Sequence, residues 1–303
     1  MVPPGRSWLT GLLTLVAACR FDFDRVSTSA ADGGVARDSP AAHGDGAGDA
    51  GVAPGPFGRL AEVSELSTVA GEDDPTLTGD LLEIYYDTWR SGDLDIWRAT
   101  RTSPTLPFEG AERVAELSSV ALDSTPEISP DGLMIFLSRT LPDGTVDLLW
   151  STRPARGSAW SMPVVVSELN SPAEDAGAAV TADLGTLFLF SDRAGNFDLY
   201  RSSHDGAGWS PPALLTELAD PAYDADPCPA LDGGLLLFAS DRDGDFDLYA
   251  VERGDDGAFA GPTPLSELNS SAEERDPWIS PDGRVIFFES FKSGTAHLYT
   301  AMR

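Results

Sequence analysis

Short, nearly continuous apolar runs recur along the chain at even spacing: Leu133-Met134-Ile135-Phe136, Leu187-Phe188-Leu189-Phe190, Leu235-Leu236-Leu237-Phe238-Ala239 and Val285-Ile286-Phe287-Phe288. Runs of this length and composition predict strands covered on both faces. Each is preceded by a short segment that ends in an Asp-containing turn; the segment holds a proline before three of the four runs (Pro126, Pro227 and Pro277) and is Ala178 to Asp183, without one, before Leu187. Each is followed by a second polar turn and a further strand, such as Phe246 to Val251 after Arg242-Asp243-Gly244-Asp245. Prolines gather in the fourth segment of the unit (Pro163, Pro211, Pro212, Pro262, Pro264). A proline cannot donate to a strand ladder, so this segment is expected at the sheet's outer edge, near Phe259 to Leu265 in the last complete unit.

The unit repeats five times. An aromatic residue is followed eight positions later by Glu-Leu at Phe57/Glu65, Phe108/Glu116, Trp160/Glu168, Trp209/Glu217 and Phe259/Glu267, and successive aromatics lie 51, 52, 49 and 50 residues apart. So constant a period predicts an all-β, five-bladed β-propeller with four antiparallel strands per blade. The chain ends just after the third strand of its fifth unit, Leu298 to Ala301, while Phe57 to Leu66 reads as a fourth strand with no partners before it. Pairing the two completes the last blade and removes the exposed edges of an open array. A solenoid would need polar capping repeats at its ends, and neither end reads as one.

The phrases Ser129-Pro130-Asp131-Gly132 and Ser280-Pro281-Asp282-Gly283, with Ser191-Asp192-Arg193-Ala194-Gly195-Asn196-Phe197-Asp198-Leu199-Tyr200 and Asp241-Arg242-Asp243-Gly244-Asp245-Phe246-Asp247-Leu248-Tyr249, resemble the TolB-like, WD-repeat-like propellers of bacterial envelope proteins. The resemblance spans residues 57–303 and implies the fold; propellers host scaffolds, binding modules and enzymes alike. There are departures. The first unit has Gly79-Asp80 for Pro-Asp-Gly, the third has Asp183-Leu184-Gly185, and the fifth has His297 where the others have Asp95, Asp147, Asp198 and Asp247.

Charge narrows the partners. The chain has 20 basic and 49 acidic residues, a formal charge of −29, which repels phosphate backbones and anionic headgroups, so nucleic acid is not an expected partner. The N-terminus adds an address: Arg6, an apolar stretch from Trp8 to Ala18, then Cys19. Val16-Ala17-Ala18-Cys19 resembles a lipobox, which implies a signal peptide over residues 1–18 and lipid on Cys19. Arg20 stands where, by the same resemblance, inner-membrane retention would require Asp, so outer-membrane attachment is expected. Residues 19–56 are rich in Ala, Gly, Asp and Pro and read as a flexible tether to a propeller over 57–303. With Cys19 acylated, Cys228 has no disulfide partner. A monomer is expected, touching the membrane only through lipid and binding an envelope protein or a glycan.

One position is acidic in every unit: Glu72, Asp123, Asp175, Asp224 and Glu274. At equal register these are expected to ring the tunnel mouth, deepened by Asp73, Asp74, Glu174, Asp226, Glu273 and Asp276, and to attract a cation, calcium among them, or a basic partner. The other reading is that they satisfy backbone donors in the loops between blades. A glycosidase in this fold would need two carboxyls in unlike environments, and Glu127, acidic in the second unit alone, is the catalytic candidate. Asp241, Asp243, Asp245 and Asp247 alternate around Gly244 but lack EF-hand spacing and read as a hairpin turn. His43, His204 and His297 are too scattered for a metal set. No zinc spacing, phosphate-cradling glycine loop or Ser-His-Asp arrangement is visible, so no cofactor is expected.

Overall fold

The computed structural model describes residues 55–230 and 233–303. Cys19, the signal peptide, Asp232 and nearly all of the tether lie outside the described residues. The chain enters through β1 (Gly58–Glu62). Blade one follows as β2 (Asp73–Leu77), β3 (Glu83–Thr88), β4 (Asp95–Thr100) and β5 (Glu109–Arg113), and blade two as β6 (Asp123–Ile128), β7 (Met134–Thr140), β8 (Val146–Thr152) and β9 (Val164–Val165). Blade three is β10 (Asp175–Val180), β11 (Thr186–Ser191), β12 (Asp198–Ser203) and β13 (Ala213–Leu214). Blade four is β14 (Asp224–Ala230), β15 (Leu235–Ser240), β16 (Asp247–Glu252) and β17 (Thr263–Pro264). Blade five is β18 (Glu274–Ile279), β19 (Val285–Ser290) and β20 (His297–Met302), completed by β1. Five four-stranded antiparallel sheets, almost without helix, make the predicted five-bladed propeller.

The ring closes as expected. Antiparallel pairing sets Gly58 opposite Met302, Ala61 opposite Thr300 and Glu62 opposite Tyr299, and the Val63 amide donates to the Leu298 carbonyl at 2.8 Å. His297, the departure in blade five, belongs to this seam: its Nδ1 lies 3.2 Å from Glu62 Oε1, and its Nε2 lies 3.2 Å from the Thr68 carbonyl. In blade one the corresponding places hold Asp95 and Arg113, paired at 2.6 Å, so blade five carries the same contact with the acidic and basic roles exchanged.

The repeated phrase holds neighbouring blades together. All five phrase aromatics are buried. Four of them meet a ring on the second strand of the preceding blade: Phe108 against Phe287, Trp160 against Tyr85, Trp209 against Phe136 and Phe259 against Phe188, with centroids 6.0–6.4 Å apart. These edge-on contacts add to the burial of the rings themselves. The glutamate of the phrase accepts the amide of the next aromatic, at 3.0 Å from Phe108 to Glu65 and 3.0 Å from Phe57 to Glu267.

The turns between first and second strands use the Asp as expected: Asp131 accepts the Ser129 hydroxyl at 2.6 Å and the Leu133 amide at 2.9 Å, and Asp282 accepts Ser280 at 2.6 Å and Arg284 at 3.1 Å. The departures have a local cost. Leu81 and Leu184 sit at φ of 63° and 58°, where other blades place Gly132, Gly233 and Gly283. The outer strands of blades two to four are only two residues long, shorter than the expected span, and their prolines account for it.

Candidate functional site

The five register-equivalent acids are fully buried, and none of them lines the central cavity. Each is instead pinned within its own blade. Arg90 reaches Glu72 at 3.0 Å, Arg139 reaches Asp123 at 2.5 Å, Arg242 reaches Asp224 at 2.7 Å and Lys292 reaches Glu274 at 3.5 Å, while Arg193 pairs with Asp175. The second carboxylate oxygen takes a loop amide in four blades: Thr68 to Glu72 at 2.9 Å, Ser119 to Asp123 at 2.6 Å, Ser171 to Asp175 at 2.5 Å and Ser270 to Glu274 at 2.7 Å. The cation also closes onto the leucine carbonyl of the Glu-Leu phrase, at 2.6 Å from Arg90 to Leu66 and 2.8 Å from Arg193 to Leu169. It lies over an aromatic of the third strand, as Arg193 does over Tyr200 at 4.9 Å and Arg242 over Tyr249 at 5.1 Å. Burial pushes the carboxyls of Asp123 and Asp224 up in spite of their arginines. The sequence carries a signal for these cations: in four of five blades the base stands 18 residues after the acid, as in Glu72 and Arg90 or Glu274 and Lys292.

The tunnel is lined two positions further on. Every innermost strand carries a bulge, and the residue at it has a positive φ: Asp74 at 49°, Thr125 at 44°, Gly177 at 58°, Asp226 at 53° and Asp276 at 51°. A bulge inserts one unpaired residue and re-aims the side chains beside it, which turns this position to the axis. Gly177 is required where it stands: a Cβ there would lie 2.5 Å from the Phe190 ring. Asp74, Asp226 and Asp276 gather beside Glu127 at one end of the tunnel. Burial is the chief cause that pushes their carboxyls up, to about 6 for Asp226 and about 8 for Asp276, with the charge of Asp276 adding to the rise at Asp74 and that of Asp226 to the rise at Asp276.

Glu127 stands between the two ends of the tunnel. Its Oε2 accepts the Thr76 hydroxyl at 3.0 Å, and burial pushes its carboxyl up to about 8. A carboxyl whose folded value lies above its unfolded one binds its proton more tightly in the native state. Its contribution to stability is therefore full below about pH 4.5 and is lost as pH rises towards about 8, at up to about 1.4 kcal/mol per pH unit. Glu127→Gln is expected to flatten that part of the pH profile. Urea midpoints at pH 5 and pH 8 check it, and a variant whose profile runs parallel to the parent's would contradict the assignment.

The tunnel is narrow. Cavity volume is about 10 Å3 among Asp74, Asp226 and Asp276, and about 40 Å3 at the other end, beside Cys228 and Trp278. Sites for organic ligands measure roughly 300–1,000 Å3. Cys228 is a free, buried thiol, and burial pushes it up. Asp241 to Asp247 form the hairpin turn between β15 and β16, in which Asp243 accepts the Tyr249 hydroxyl at 2.6 Å.

No family model matches the chain, and no curated protein matches it in sequence. Solved structures do match in shape. A protein assigned as TolB from Agrobacterium tumefaciens superposes with a TM-score of 0.50 at 18% identity, over 76% of each chain. TolB from Acinetobacter baumannii gives 0.51 at 16%, over 78% of this chain, which spans about half of that one, 56%. The endo-arabinase from Bacteroides thetaiotaomicron gives 0.56 at 14%, over 80% of this chain and 96% of that one. The chain shares their propeller fold. At such identities the likeness speaks for architecture alone, which the TolB proteins and the endo-arabinase share.

Proposed function

We propose that the protein is a non-catalytic binding or scaffold propeller of the bacterial cell envelope, tethered by lipid at Cys19 to the outer membrane, that presents one loop face to an envelope protein or glycan. The observation that carries the non-catalytic reading is the narrowness of the tunnel, whose carboxyls face about 10 Å3 of space and leave no room for a sugar ring. The binding reading is supported by the face on which fourth strands hand over to first strands and second strands turn into third. Val69 and Val120 stand fully exposed there, with the Trp89, Tyr223 and Phe291 rings partly so. Apolar side chains held out on loops over a rigid sheet scaffold are a common means of engaging a partner. Photo-crosslinkers at Val69 and Val120 are expected to trap one envelope partner in intact cells, where a crosslinker at Val164 on the rim does not. Equal capture from both places would remove the support. Loss of palmitate incorporation in Cys19→Ser checks the tether.

A carbohydrate-active enzyme is the second reading, favoured by Glu127, whose carboxyl is held protonated near neutrality as a general acid requires. It predicts that Glu127→Gln abolishes turnover of some glycan while the protein stays folded. Finding no turnover by the parent protein across a broad glycan panel would discard it. A TolB-like component of an envelope assembly is a particular case of the scaffold reading.

A further inference from the structure

The tunnel acids break the symmetry that the pinned acids keep. At the bulge position, Asp occurs in blades four, five and one, which are neighbours around the ring, while blades two and three place Thr125 and Gly177. One residue earlier, the first and second strands face each other as Asp73 and Asp87 in blade one and as Arg275 and Glu289 in blade five. The same pairs are Ser124 and Ser138, Ala176 and Phe190, and Ala225 and Ala239 elsewhere. A feature that serves the blade as such recurs in every blade. This one does not, and it sits at the joint where the ring closes.

The carboxylate oxygens are close enough to share an ion. One from each of Asp73, Asp276 and Glu289 lies within 4.8 Å of the others; so do oxygens of Asp74, Asp226 and Asp276, and of Asp73, Asp74 and Asp87. Two of the groups contain an oxygen that no amide, hydroxyl or cationic donor reaches, so that only the other carboxyls of the nest face it. Oδ1 of Asp87 and Oε1 of Glu289 have no hydrogen-bond partner, in residues only 0% and 1% exposed. Leaving a buried carboxylate oxygen unsatisfied is costly, and a bound cation would remove that cost. Arg275 does not supply the cation in full: its guanidinium is held 2.6 Å from Glu273 and 4.1 Å from the Phe246 ring centre, and its Nε has no acceptor.

We propose that this nest of six carboxylates binds a divalent cation, calcium, which fastens blades four, five and one to one another at the seam. An all-oxygen donor set selects a hard cation. Calcium takes such donors at about 2.3–2.6 Å, so two of its ligands stand at most about 4.6–5.2 Å apart, and the oxygens of each group, all within 4.8 Å of one another, satisfy that limit. Magnesium needs a tighter octahedron and keeps several waters, for which about 10 Å3 is too little. The site is independent of the loop-face binding role, and its test reads neither a partner nor a turnover.

The test is calcium chloride titrated into the full chain after stripping with EDTA, followed by calorimetry and thermal melting. Calcium is expected to release or absorb heat at a saturable site and to raise Tm by roughly 5–10 °C at a hundredfold excess over its Kd. Asp73→Asn/Asp276→Asn removes a ligand from all three groups and is expected to abolish the shift. Because it also removes two crowded carboxyls whose ionised form burial disfavours, its Tm in EDTA is expected to exceed the parent's, which separates lost binding from lost folding. Asp245→Asn, in the β15–β16 turn, is expected to keep the full shift. The proposal is overturned by a folded parent protein with no heat and no shift at millimolar calcium, by an undiminished shift in the double variant, or by a magnesium shift as large as calcium's.

Discussion

A chain lacking residues 1–66 is expected to lose its cooperative melting transition and to aggregate, whereas deletion of residues 20–54 alone leaves Tm unchanged. The first deletion removes β1 and with it the buried Phe57, Val63 and Leu66, each worth about 1.5–3 kcal/mol of burial. It also strips hydrogen-bond partners from β20 and takes away the Phe57 amide that Glu267 accepts. A loss of roughly 5 kcal/mol or more is comparable with the whole stability of an ordinary domain. The exposed β20 edge then offers a template for intermolecular pairing. Scanning calorimetry with light scattering checks both deletions. An unchanged transition in the chain lacking residues 1–66 would mean that the ring does not depend on its closing strand.

Arg242→Ala is expected to lower stability by about 3–5 kcal/mol, because it leaves the carboxylate of Asp224 buried with no cation. Asp220, 3.4 Å from the same guanidinium, loses its partner too. Replacing both halves, as Arg242→Met with Asp224→Leu, is expected to recover most of the loss, since an apolar pair has no buried charge to satisfy. The sign with pH follows from burial, which already raises the Asp224 carboxyl and raises it further once the arginine is gone. The variant's deficit should therefore be larger at about pH 7 than at about pH 4, where the carboxyl takes up its proton in either state. Urea midpoints of the two variants and the parent at both pH values decide it. A deficit below about 1 kcal/mol at pH 7 would place the pair with ordinary surface ion pairs.

How much of the site was legible differs from residue to residue. That Glu72, Asp123, Asp175, Asp224 and Glu274 are equivalent could be read directly, because the repeat places them at one register. Which way their carboxylates face could not. In a regular strand, side chains alternate with a period of two, and an acid leading an inner strand would fix the face of every residue after it. Here a bulge intervenes in all five blades, so Asp74, Asp226 and Asp276 turn to the axis and the residues two places before them turn to their cations. Glu127, read as the symmetry-breaking inward acid, does face the tunnel. Asp87 and Glu289 could not be read as site residues at all, since each sits inside an apolar second strand and gains its meaning only from the strand opposite.

The sequence by itself determined the number of blades, the four-stranded unit, the outer position of the proline-rich strands and the joining of the two ends. Periodicity and strand chemistry are local properties that repetition amplifies fivefold. Only the tertiary structure decided which acids are neutralised by a partner and which are left facing one another across a gap of a few ångströms. That distinction depends on distances between residues some 200 positions apart, such as Asp73 and Asp276, which meet because the ring brings its last blade beside its first.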